Sequence, residues 1–178
     1  MEKMPIPEGL DVLRSGDAVV IRRSWRTWAV LPIFLFLIFW FGFLGFWYYH
    51  AFTSRHPPLA MLLFPLLHVA VGVGLAYFAI SSLVNQTDVI VSTSRVRCVT
   101  GPLPWWGNQD LPAADIQGVN VRERRGNKGS VSYALMYVDA ANREHSLLST
   151  PRLEQADFIA ASIRDILGLN EPAAQGAA

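Results

Sequence analysis

The chain has 178 residues, of which 52% are hydrophobic and only 16% charged, a balance that suits a protein partly dissolved in lipid. Its formal net charge of +1 gives no support to nucleic-acid binding, and a single cysteine, Cys98, excludes an internal disulfide and a multi-cysteine metal site. A lone free thiol suits a reducing compartment.

Taken in order, residues 1–15 (MEKMPIPEGLDVLRS) read as a loose arm with two prolines. Gly16-Asp17 reads as a turn, and Ala18 to Ile21 as a short β-rich run, a possible extra strand at the end of an arm over 1–27. Arg22, Arg23 and Arg26 follow immediately before an apolar run and are expected at the lipid surface, facing anionic headgroups.

Residues 28–84 read as a transmembrane hairpin. Trp28 to Tyr49 is uncharged and longer than the roughly 20 residues a helix needs to cross a bilayer. Leu59 to Val84 is also uncharged, interrupted by Pro65, expected to kink it, and by His68. Fourteen of the fifteen Lys and Arg residues lie outside the connecting segment, so both termini are expected in the cytoplasm and residues 50–58 outside. Small residues at helical spacing are expected to let helices approach: Gly42 and Gly45 on the first, Ala70, Gly72, Gly74 and Ala76 on the second. His68 is the one ionisable residue well inside a span and is a functional candidate. His50 and His56 lie at the far end, roughly 14 Å away at 1.5 Å per residue, which argues against a shared haem and for a neutral histidine bonded within the bundle.

After Val84 the character changes. Thr87 to Val91 and Arg95 to Thr100 read as strands, Gly101 to Asn108 as a Pro- and Gly-rich loop holding Trp105 and Trp106. Ile116 to Arg124, Val131 to Asp139 and His145 to Ser149 read as further strands, the middle one apolar on both faces and so buried. A helix follows, with Thr150 as its cap, Pro151 at its first position, Gly168 at its exit, and an apolar stripe of Ala156, Ile159, Ala160, Ile163, Ile166 and Leu167. Asn170 to Ala178 reads as a flexible tail.

This α+β region resembles the cytoplasmic half of bacterial two-transmembrane-helix proteins with a pleckstrin-homology-like (PH-like) domain. The likeness rests on Asn85-x-Thr87-x-Val89-x-Val91, the loop Gly101-Pro-Leu-Pro104-Trp105, and a last helix ending Leu167-Gly-Leu169. It covers residues 85–169 and implies an antiparallel sheet or barrel capped by a C-terminal helix, in the bacterial inner membrane. It implies no reaction.

No nucleophile arrangement, zinc spacing or GxxxxGK[ST] loop is present, so no enzyme and no cofactor is expected. The leading expectation is a non-catalytic accessory or assembly subunit that presents its PH-like domain to another membrane protein or a second copy. Pro104, Trp105 and Trp106 are its candidate contacts, in a domain that must hang close beneath the bilayer because few residues link it to the second span. A second reading has Arg122, Arg124, Arg125 and Lys128 engage lipid headgroups. A third, a redox or metal-associated subunit, uses His68 and Cys98.

Overall fold

A computed structural model describes residues 5–126 and 129–170. The chain divides into two compact units, one of residues 25–85 and one assembled from the segments before and after it.

The first unit is a helical hairpin, α1 (Leu31–Thr53) and α2 (Leu59–Val84). Both helices are long and apolar enough to cross a membrane, and few of their side chains are buried. Leu35, Ile38, Phe39, Phe52 and Leu67 are each more than 70% exposed, an apolar surface of the kind that meets a membrane or another protein.

Rings of α1 hold the hairpin to carbonyls of α2. Pro65, expected to kink α2, lies inside a continuous helix. It has no N–H to offer the carbonyl four residues earlier, that of Met61. The Trp47 indole N–H donates to that oxygen at 3.0 Å, and the Tyr48 hydroxyl donates to the neighbouring Leu62 oxygen at 3.3 Å. Two turns further, Trp40 Nε1 donates to the His68 carbonyl at 3.1 Å. In lipid no water competes for these groups, so such bonds tie helix to helix.

Among its described residues the second unit has eight strands: β1 (Leu10–Ser15), β2 (Ala18–Ser24), β3 (Gln86–Val91), β4 (Arg95–Gly101), β5 (Gln109–Pro112), β6 (Gly118–Arg125), β7 (Val131–Val138) and β8 (Glu144–Thr150). They form two antiparallel sheets, β1-β2-β3-β4-β5 and β6-β7-β8. A helix, α3 (Leu153–Leu167), follows. Both sheets and the helix share one core: Leu10, Ile21, Val89, Val96 and Cys98 from the larger sheet, Val119, Leu135 and Leu147 from the smaller, Ile159 and Ile163 from α3.

Two expectations need correction here. The N-terminal segment is no loose arm: β1 occupies residues 10–15, and the anticipated run at 18–21 extends to Ser24 as β2, pairing with β1 on one side and β3 on the other. Thr150 does not cap α3 as its flanking residue, a position held by Arg152 without a side-chain bond. Thr150 is the buried last residue of β8, held in the sheet opposite Tyr133. Its hydroxyl donates to Gln155 Oε1 at 2.7 Å, and Gln155 Nε2 donates to the Glu8 carbonyl at 2.8 Å, so the helix start is tied to β8 and to the turn that precedes β1.

Other readings hold. β7, apolar on both faces, is the central strand of its sheet, with Ala134, Leu135 and Met136 all buried. Gly168 takes φ +65° at the exit of α3, where its N–H and that of Leu169 return to the Asp165 and Arg164 carbonyls, a turn that favours glycine. The stripe of α3 buries Ala156, Ile159, Ala160 and Ile163 and leaves Ile166 and Leu167 half-buried at its end. The tail from 171 on lies outside the described residues.

Candidate functional site

The register of the larger sheet brings several candidates to one end. Ser24 pairs with Gln86, and Gln86 with Gly101, so β2 ends, β3 begins and β4 ends in one row. That is the end at which the chain leaves for the helical hairpin and returns from it. The loop 102–108 springs from the same row. Asn108 Oδ1 accepts the Thr100 N–H at 2.8 Å and closes the loop, and Gln109 Nε2 donates to the Ser146 carbonyl of β8 at 2.8 Å. Gly107 turns with φ +94°, a conformation that most side chains would resist. On this braced loop Trp105 is half-buried, whereas Trp106 is 89% exposed, its ring tilted against that of Trp105 at 5.8 Å. Pro104 is exposed beside them.

Arg22 and Arg23 both belong to β2, where alternation sends them to opposite faces. Arg22 lies directly opposite Asp88 of β3 and grips it with two bonds of 2.9 Å each. Arg23 pairs with Leu10 and Thr87, both buried, and therefore lies on the core face. Its Nε is buried and has no hydrogen-bond partner among the described residues. Burial pushes the Arg23 pKa down, because the interior disfavours the charge. Arg26 is exposed, between β2 and the first helical turn.

The basic hairpin of β6 and β7 is largely paired with acids. Arg122 bonds Glu144 at 2.7 Å and Arg125 bonds Glu123 at 2.7 Å. Arg124 lies over β7, its Nη2 3.9 Å from the sulfur of buried Met136. Alternation along β6 puts Arg122 and Arg124 on one face of the smaller sheet and Arg125 on the other. Surface pairs of this kind contribute little and can exchange for other anions. Lys128 lies outside the described residues.

His68 stacks against Trp40 at 5.6 Å and lies 5.1 Å from Phe64. Its Nδ1 is buried without a hydrogen-bond partner among the described residues, so that nitrogen does not make the bond within the bundle that the sequence suggested. Of the glycines of the hairpin, Gly72 alone meets a close neighbour on the other helix: a Cβ there would lie 3.0 Å from Trp40 Cδ1 and Nε1. Around Gly42, Gly45 and Gly74 the space is open, Ala70 is exposed and Ala76 half-buried.

Cys98 points into the core from β4 at 2% exposure, and burial pushes its thiol up to about 12. A thiol held neutral and covered is inert. In the intact protein Cys98 should resist a maleimide at pH 7 and react once the β unit opens; rapid labelling under native conditions would contradict its burial. No group of three or more His, Cys, Asp or Glu able to hold a metal exists among the described residues.

Sequence reasoning missed Asp139. Its carboxylate accepts the Ala141 and Arg143 N–H groups at 2.9 Å each and also meets the Arg143 and His145 side chains. These donors hold its carboxyl well below the usual carboxylate range. Because the folded value lies below the unfolded one, the turn's contribution is complete above the ordinary Asp range and is lost as pH falls from there through the depressed folded value. The signal was local, an Asp followed by Ala-Ala-Asn-Arg between strands. Asp139 organises a turn.

Neither protein-family models nor curated proteins give a match to this chain.

Proposed function

We propose that the protein is a non-catalytic integral protein of the bacterial inner membrane, with both termini cytoplasmic. Its two helices span the bilayer, and its α+β unit, PH-like in arrangement, serves as a docking module for another membrane protein, as an accessory or assembly subunit. Two antiparallel sheets and a closing helix around one core support the PH-like reading, and the apolar, outward-facing side chains of α1 and α2 support the spans.

One observation carries the docking role: Trp106 is 89% exposed on a loop braced by Asn108 and flanked by prolines. An indole left in water on a stiff loop loses little entropy on docking, and Trp is prominent among residues that dominate interfaces. The competing use, a ring folded over a sheet edge, would shield it.

A photo-crosslinking residue at position 106 of the full-length protein, irradiated in native membranes, should yield one discrete protein adduct. Trp106→Ala should reduce recovery of that partner about tenfold or more, as for an interface residue contributing ~2 kcal/mol, without changing the temperature at which Cys98 becomes reactive. Adducts to lipid only, or none, would overturn the docking role.

A further inference from the structure

Among the described residues the Arg23 guanidinium makes no ion pair, and its Nε has no hydrogen-bond partner. Nearby carboxylates are engaged elsewhere: Asp88 by Arg22 on the opposite face, and Glu8 by Arg152 at 2.9 Å. Asp11 lies opposite Arg22, hence also on the far face. Yet Arg23 is held on the core face with its Nε buried and unbonded, an arrangement that costs free energy unless an anion completes it. Across the sheet the same row continues with Thr87, opposite Arg23, and Thr100, opposite Thr87, whose hydroxyls lie 3.0 Å apart. A planar guanidinium and two hydroxyls in one row match the oxygens of a phosphate.

We infer that Arg23, with Thr87 and Thr100, forms a receptor for one phosphate group, supplied by an anionic phospholipid headgroup. The choice of a lipid rests on the membrane-spanning reading above. Arg23 precedes Leu31, the first residue of α1, by eight residues, a tether of at most ~29 Å at ~3.6 Å per residue. The site is separate from the basic β6–β7 hairpin, whose Arg122 and Arg125 already have acid partners.

A ligand at concentration c that binds only the folded state raises its stability by RT ln(1 + c/Kd), a gain that grows with ligand concentration. The test uses the full-length protein in phosphatidylcholine nanodiscs with increasing phosphatidylglycerol. The midpoint temperature of Cys98 maleimide labelling reports opening of the β unit. Wild type should gain about 5 °C between zero and full phosphatidylglycerol. Arg23→Met should show no gain and, in pure phosphatidylcholine, be at least as stable as wild type, because an unpaired cation has gone. Arg14→Gln, the same charge change on exposed β1, should gain as wild type does.

A second arm adds inorganic phosphate to lipid-free detergent micelles. A gain there that equals the lipid effect and is lost in Arg23→Met keeps the phosphate receptor but replaces its lipid by a soluble anion. That arm also stands if the helices prove not to span. A flat wild type in both arms, or an Arg23→Met gain equal to wild type, overturns the receptor. If Arg23→Met does not fold, Arg23→Lys decides: it keeps the charge but lacks the buried Nε–H, so its gain should be at most half, and an undiminished gain overturns the receptor.

Discussion

Gly72→Leu should break the packing of the helical hairpin, whereas Gly74→Leu, two residues away, should leave it intact. A Cβ at Gly72 would lie 3.0 Å from the Trp40 ring and 3.1 Å from Phe41 Cε1, whereas at Gly74 nothing lies within 4 Å. A leucine at 72 must displace Trp40, whose indole N–H bonds the His68 carbonyl. Overpacking of this kind costs about 1–3 kcal/mol, and a lost bond between helices in lipid costs roughly another 1 kcal/mol. Unfolding of the full-length protein in mixed micelles, followed by tryptophan emission, should show a loss of about 2–4 kcal/mol for Gly72→Leu. The change at Gly74 should stay within ~0.5 kcal/mol, as for a surface site. Equal effects would mean that Gly72 does not set the contact.

Ile21→Ala should destabilise the β unit by about 2–5 kcal/mol, the usual cost of emptying a filled core position. Ile21 is fully buried in β2, between β1 and β3, and lies opposite Val12 and Val89. The midpoint of Cys98 labelling should fall by roughly 10 °C or more. Leu13→Ala, half-exposed on β1, should change it little. A fragment beginning at residue 86 should not reach the folded state at all, because it lacks two strands and the Leu10 and Ile21 portion of the core. A stable fragment of that kind, or an unaffected Ile21→Ala, would return the N-terminal segment to the role of an arm.

This second result bears on what can be read from residues alone. Segments that carry their own pattern were legible: two uncharged runs of helical length, the doubly apolar β7, and α3 with its stripe and its glycine exit. Their preferences are local, a matter of periodicity over a few turns or a few residues. β1 was not legible, because Leu-Asp-Val-Leu-Arg-Ser is short, weakly alternating and preceded by prolines. It is a strand through its register with β2. β5 (Gln-Asp-Leu-Pro) likewise has too few apolar residues to announce itself and depends on its pairing with β4 and the bond from Gln109 to β8.

The apolar hairpin, the later strands other than β5 and the closing helix were thus determined by the sequence alone, because each needs only contiguous residues. The tertiary structure decided the rest. It joined β2 to β3 across more than sixty intervening residues, and local periodicity carries no information about so distant a partner. It assigned Arg22 to an acid and its neighbour Arg23 to the core face, since alternation separates two adjacent arginines but cannot say which side is inside. It also distinguished Gly72 from Gly74, and Trp106 from Trp105, because what surrounds a residue depends on elements far along the chain.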